Sequence, residues 1–500
     1  DEAYGESNIS DCVSNVHITS TYNDGGCDAG GLISFISRNA RVTITDCLVK
    51  GSINATMEKG KKGMGGFVSI QNGTCTLINC LYIGDNNAIG GNTFADNATV
   101  TNCYYLNTCG KAQGKQVTAE RLKSGEMAKL LQGDRTDNVW GQTLGTDLEP
   151  LPTTDATKRV YEVKFTYNGK EVATRYATNG QSIHGGMPTF TAKDLLGTGY
   201  NPHHYYAIAF ADGFNASTTV TADRQVAVSI TEKDCYEIST KADWKAFCDL
   251  VNGGQNAVDA KLTRNIDLGS EINMVGDDNN KYSGTFDGQN HTLKLDWNNT
   301  NGLLAPFKTV DGATIKNLRT EGSIRSNSFY LSGLIDEAIG ENTVTGCVSN
   351  VNLTTSYDYS SCDAAGLICY IYTTGRVTIS DCLVKGSINA TAEKGQKGMG
   401  GFVFIQHGSC IMNNCLYAGT NNASGGYTFA SDSDDEATTT LNNCYYLNPC
   451  GKLQGEQATK AQLESGEVAH LLQNGRSKTV WGQVLGTDHE PQLTDKIEKR

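Results

Sequence analysis

A long block of sequence occurs twice in this chain, about 335 residues apart, and that duplication limits what the chain can fold into. Residues 43–71, TITDCLVKGSINATMEKGKKGMGGFVSIQ, return at 378–406 as TISDCLVKGSINATAEKGQKGMGGFVFIQ. Only Thr45/Ser380, Met57/Ala392, Lys61/Gln396 and Ser69/Phe404 differ in that window. VWGQTLGTD at 139–147 returns as VWGQVLGTD at 480–488, and Asp1-Glu2-Ala3 as Asp336-Glu337-Ala338. Self-similarity at a fixed period marks an array. The repeated unit is far longer than one structural repeat of roughly 20–50 residues, so a whole domain is duplicated. The chain opens inside the repeat, with no counterpart of residues 232–335. The expectation is a piece of a longer protein carrying further copies, in which a missing export signal says nothing about location.

Glycine is abundant at 56 residues and proline sparse at 7, with much Asn and Thr. That mixture suits short β-strands joined by tight turns, not a disordered linker, which would be rich in Pro and charge. The net charge of -13 is spread along the chain without a Lys/Arg run, which argues against nucleic acid. No apolar stretch approaches the roughly 20 residues needed to span a bilayer.

Of the chain's 17 cysteines, the seven in the first copy have counterparts in the second: Cys12/Cys347, Cys27/Cys362, Cys47/Cys382, Cys75/Cys410, Cys80/Cys415, Cys103/Cys444 and Cys109/Cys450. Four sit in one recurring phrase: NISDCVSNVHI, TITDCLVKGSI, TLINCLYIG and TVTNCYYLN. Each Cys follows Asp11, Asp46, Asn79 or Asn102, and two residues before these lies Ile9, Ile44, Leu77 or Val100. Such alternation reads as a half-buried strand, and Asx before Cys as a sharp bend. The 35-, 33- and 23-residue spacings suit one coil of a β-solenoid plus loops. Equivalent residues of successive coils then stack about 4.8 Å apart. Cys12, Cys47, Cys80 and Cys103, with Cys347, Cys382, Cys415 and Cys444, are thus expected to form an internal ladder at one corner. Cys75 takes the inward slot of Val42. Buried thiols acting as small hydrophobes are the simplest reading. A disulfide such as Cys103 with Cys109 suits an exported protein, and metal binding lacks the paired C-x-x-C it would need.

The expected organisation is a truncated β-helix with a C-terminal cap helix over 1–156, a small all-β spacer over 157–231, and a complete β-helix with both caps over 232–500. Thr240 and Asp243 form a capping box ahead of an apolar stripe at Trp244, Phe247, Leu250 and Val251. Residues 458–475 and 118–133 read as helices over the C-terminal ends, covering edges that would otherwise aggregate. The spacer carries a strong hairpin signal at Asn168-Gly169.

The phrases FDGQNHTL (286–293), ATIKNLRTEGSI, SGLI and the [DN]-C-x3-G-x-I corners resemble the repeats of large surface proteins of gut Bacteroidales. Those repeats are related to the GLUG-motif segments of some bacterial surface proteins and peptidases. The resemblance covers most of the chain. It implies a right-handed parallel β-helix, export to the bacterial cell surface and an adhesin-like architecture. Its motifs are structural, and no catalytic residue is carried over from it.

For function, the reading is a non-enzymatic surface rod that binds a host or microbial glycan or protein, without cofactor or metal. The alternative is a β-helix polysaccharide lyase or glycosidase, which would need clustered carboxylates and is not decided by fold. Asp277-Asp278 and Asp432-Asp434-Asp435-Glu436 lie in loops as solvated charge, with calcium as a lesser option that lacks EF-hand spacing. Ice binding would need a regular Thr array, and the threonines here are irregular. No histidine recurs in both copies, which excludes a duplicated His-dependent site: His17 faces Asn352, His407 Asn72, His470 Lys129 and His489 Leu148. Two matched features could touch a ligand. One is the loop EKGKKGMGG/EKGQKGMGG, with Lys59, Lys62, Lys394 and Lys397. The other is the pair Tyr104-Tyr105 with Tyr445-Tyr446, of which one ring should point inward by strand alternation.

Overall fold

The computed structural model describes every residue except 27–28, 300–301, 328–329, 359–362, 432–436 and 500. The Cys27/Cys362 pair and the acidic group at 432–436 therefore lie outside the described residues. The fold is all-β, with parallel sheets and few helices, in two compact units. One comprises Asp1–Thr198 with Ile208–Ile230, the other Gly199–Ala207 with Thr231–Arg500. Most of the expected spacer thus groups with the first copy instead of standing apart.

In the second unit the chain visits several sheets in turn and then returns to the first, one tier further along. Thr314–Lys316, Arg319–Ser326, Tyr330–Ser332 and Ile335–Ile339 make one such passage, and Glu341–Thr345 begins the next. The sheets run to eight, ten, four and three strands along their main paths. Register is set by side-chain alternation, since a one-residue slip would turn every apolar residue outward. Ile315, Val344, Ile379, Met412 and Leu441 are direct neighbours across five strands. In the first unit Ile9, Ile44, Leu77 and Val100 form the same column, and Cys75 pairs Val42.

The corner before each ladder cysteine holds the left-handed conformation, with φ of 51° at Asp46, 52° at Asn79, 50° at Asn102 and 53° at Asp381. Asn and Asp tolerate this region because their short side chains bond locally. Beyond the bend the thiols turn inward, each toward a carbonyl one tier back: Cys80 to Ile44 at 3.6 Å, Cys347 to Ile315 at 3.6 Å and Cys382 to Val344 at 3.7 Å. All eight ladder residues are buried except Cys12, which lies on the first tier and is exposed. Glycine is required at Gly51 and Gly386 by close approach. A Cβ there would fall 1.9 Å from the Val16 carbonyl oxygen and 2.0 Å from that of Val351.

Helix Lys241–Asn252 starts with the full Thr240/Asp243 capping box. It drives Trp244 and Phe247 among Phe286, Phe307 and Tyr282 in the first tiers of the second unit. The C-terminal helices depart from expectation in two ways. Each is a pair, Ala119–Lys123 with Glu126–Gln132 and Lys460–Glu464 with Glu467–Gln473, broken at Gly125 (φ 93°) and Gly466 (φ 84°). Moreover, they lie along a flank and not over an end. Leu122, Met127, Leu131 and Trp140 pack on Leu48, Leu81 and Tyr104, which belong to three successive tiers. The reason is the two-residue strands Leu48–Val49, Leu81–Tyr82 and Tyr104–Tyr105, apolar on both faces. One face enters the core, so the other needs a cover.

The spacer sequence forms the expected hairpin, Val160–Tyr167 with Lys170–Thr178, through Asn168 and Gly169, both at positive φ. Arg224 to Ala227 adds in parallel beside Val163 to Thr166.

Candidate functional site

The tyrosine pairs shared by the two copies serve the scaffold. Both rings of each tyrosine pair are buried, which corrects their reading as ligand contacts. Tyr105 and Tyr446 enter the core, while Tyr104 and Tyr445 lie under the flanking helix pairs. Lys59, Lys62, Lys394 and Lys397 are exposed on the short helical turns around Gly60–Lys62 and Gly395–Lys397. Among the described residues nothing brings these lysines together with the tyrosines.

Carboxylates on the outer faces of the second unit are matched by cations from the neighbouring tier. Glu237 meets Lys261 at 3.0 Å, Asp267 meets Lys294 at 2.9 Å, Asp278 meets Lys308 at 2.8 Å and Asp296 meets Arg325 at 3.4 Å. Each exposed pair is worth little in stability. No group of three or more His, Cys, Asp or Glu with metal-binding geometry occurs among the described residues. In the first unit a groove of about 590 Å³ beside Arg121, Glu126 and Tyr176 is charged, but Arg121 is already forked onto Glu126 at 2.8 and 2.6 Å.

A different surface gathers chemistry that differs between the copies. On the outer face of the sheet holding Ile335–Ile339, Ile368–Ile371 and Val403–Gln406, Glu337 and Tyr370 are register neighbours. Tyr370 lies 4.6 Å from Tyr372, 6.2 Å from Tyr330 and 5.4 Å from His407, ring centroid to ring centroid. All four rings are half-buried, each leaving part of its surface to solvent. The Tyr372 hydroxyl donates to Glu337 at 3.0 Å. Burial and then the nearby Glu337 charge push that phenol up to about 12, so it stays neutral and acts as a hydrogen-bonding group. At the turns that follow Tyr372 and His407 in the chain opens a polar groove of about 330 Å³ lined by Thr373, Arg376, Gly408, Ser409 and Thr438. Rings next to hydroxyls and a guanidinium offer apolar faces for stacking and donors for a polyhydroxylated ligand.

The first copy carries Glu2, Phe35, Ser37 and Asn72 at the positions of Glu337, Tyr370, Tyr372 and His407. The face therefore belongs to the second copy. Its signal in the sequence is the Tyr370-Ile371-Tyr372 alternation, which puts two rings on one side of the strand direction.

The chain matches no known protein family, and no curated protein matches it. Among solved structures, one similar chain comes from Bacteroides ovatus and is provisionally assigned as an immunoglobulin A1 protease. The two share 14% identity with a TM-score of 0.37, and the match covers 52% of this chain and 93% of that one.

Proposed function

We propose that this chain is a non-enzymatic, adhesin-like repeat protein of right-handed parallel β-helix type, displayed outside a bacterial cell. In this reading the aromatic face of the second copy, Tyr330, Tyr370, Tyr372 and His407 beside Arg376, binds a host or microbial surface glycan. The observation that carries it is that face: four half-buried rings with surface left to solvent, close to a polar groove. Aromatic contacts are worth about 0.5–1.5 kcal/mol each, so three or four of them reach about the millimolar range. Useful binding then comes from many copies on one surface engaging together. Resemblance of the repeats to Bacteroidales surface proteins supports the location.

The alternative, a carbohydrate-cleaving enzyme, rests on Glu337 and Asp278, the two carboxylates whose charges bear on Tyr372. Both are engaged, Glu337 by Tyr372 and Asp278 by Lys308, and this favours binding over cleavage. The experiment is a glycan array probed with the full chain and with Tyr370→Ala, alongside a reducing-end assay on every glycan bound. Binding lost in Tyr370→Ala without product release is expected. Saturable product release abolished by Glu337→Gln would replace the proposal with the enzyme, and array binding unchanged in Tyr370→Ala would remove this face from it.

A further inference from the structure

The helix pair of the first unit has a partner on its outer side. Tyr176 of the hairpin sits over Gly125, its Cβ 2.9 Å from where a Gly125 Cβ would stand, next to the Leu144 side chain at the same distance. Thr178 bridges the loop beside it. Its hydroxyl donates to the Gln142 carbonyl at 2.8 Å and accepts from the Leu144 N–H at 2.9 Å. Lys129 completes the contact with Asp223 at 2.6 Å.

The second unit rebuilds the receiving half of this interface. Gln483 N–H bonds the Lys499 carbonyl at 2.5 Å, as Gln142 bonds that of Lys158 at 2.8 Å. Leu485 reaches over Gly466 at 2.8 Å, as Leu144 does over Gly125 at 2.9 Å. Among the described residues of the second unit nothing covers this face. Leu485 is 63% exposed, and Glu467, His470 and Val484 are exposed where Glu126, Lys129 and Thr143 are half-buried. The Leu485 N–H and the Gln483 carbonyl, counterparts of the groups Thr178 bridges, have no protein partner among the described residues. A groove of about 270 Å³ runs between them and Gly466.

We propose that this face, formed by Gly466, His470, Gln483 and Leu485, is a docking surface for a β-module of the 160–230 type, one that offers a tyrosine and a threonine two residues apart on a strand. The occupant is specified by the first unit, where the same backbone and the same leucine receive such a module. A hydroxyl two residues beyond an aromatic ring satisfies both idle backbone groups while the ring covers the exposed leucine. An unpartnered apolar side chain beside unpaired backbone groups is what an interface leaves when its partner is absent. This inference is independent of whether the aromatic face binds sugar.

The test appends a second copy of residues 160–230 directly after Arg500 in the full chain and follows amide hydrogen exchange at 483–486. A matching chain carries Tyr176→Ala and Thr178→Ala in the appended copy only. Docking is expected to slow exchange of the Leu485 amide at least tenfold over the unextended chain, with the protection lost in the double variant. A folded appended module that leaves Leu485 exchanging as before overturns the proposal. An appended module that stays unfolded also counts against it, because the same residues fold against the equivalent face of the first unit. Concentration-dependent protection of Leu485 in the unextended chain would assign the face to self-association instead.

Discussion

Asp381 accepts the indole N–H of Trp481 at 3.0 Å, and Asp46 accepts that of Trp140 at 2.8 Å. In each case the second carboxylate oxygen takes an arginine, Arg476 at 2.9 Å and Arg135 at 2.8 Å. These aspartates are also the bend residues before Cys382 and Cys47, so one side chain closes a corner and ties down the helix pair. The corners Asn102 and Asn443 reach the same helix pairs through neutral amides, which donate to the Leu130 and Leu471 carbonyls at 3.3 and 2.8 Å.

Removing this clamp at Asp381 leaves the Trp481 indole N–H without its acceptor and Arg476 with the Leu472 and Gln473 carbonyls. Asp381→Ala is expected to cost about 3 kcal/mol, the scale of a broken, largely buried ion pair. Asp381→Asn, which keeps an acceptor, should cost about 1–2 kcal/mol. In calorimetry the alanine variant should melt roughly 6–12 °C earlier, and a shift under 1 °C would refute the clamp.

Gly386→Ala places a methyl on the Val351 carbonyl oxygen, 2.0 Å away. Overpacking against backbone costs about 2–3 kcal/mol. Gly199, with nothing within 4 Å of a built Cβ and no positive φ, is the control. Chemical denaturation of both alanine variants should show a lowered midpoint for Gly386→Ala alone; equal midpoints would mean the tiers are not stacked this closely.

Cys47, Cys80, Cys382 and Cys415, inward thiols of the ladder, should be chemically silent in the folded protein. Burial pushes Cys47 and Cys75 up to about 12 and raises Cys80 and Cys382 further, and only the thiolate reacts. Alkylation at pH 8 with peptide mass analysis should label Cys12, which is exposed. Cys47, Cys80, Cys382 and Cys415 should be labelled only after denaturation. Rapid native labelling of Cys382 would contradict the inward corner.

Tyr372 makes stability fall at high pH. Its folded value of about 12 exceeds the unfolded value of about 10, so between them the folded state holds more protons and stability declines as pH rises. That contribution is intact below about pH 10 and gone once pH has passed about 12. Alkaline titration at 295 nm, subtracting Tyr372→Phe from the parent, should isolate one phenol ionising near pH 12. A difference curve centred at pH 10 would mean that Tyr372 is neither buried nor held against Glu337.

Much of the architecture is legible in the sequence because its rules are local. The phrase Ile-x-Asp-Cys states an inward strand residue, a left-handed bend and an inward thiol, and the registers of Ile44 with Leu77 follow from it. The Asn168-Gly169 hairpin and the Thr240 capping box are equally short-range. The flank position of the helices was not legible, since it depends on Leu48, Leu81 and Tyr104 meeting across tiers 33 and 23 residues apart in the chain. The same holds for Asp381, whose Trp481 partner is 100 residues away. Sequence identity between the copies pointed to the tyrosine pairs, but identity here tracks the scaffold. The aromatic face arises where the copies diverge, at Tyr370, Tyr372 and His407.

The flank helices also bear on how such a stack fails under load. Strands joined only by inter-tier hydrogen bonds would unzip from an end, one tier per rupture, at low force. In the second unit Val348, Leu383, Leu416 and Tyr445 come from four tiers and share one apolar cluster with Leu463, Leu472 and Trp481. The helix pair is a splint across those four tiers. Tension applied to any one of them is shared by the others, and the splinted segment must yield as a block while unsplinted tiers peel singly.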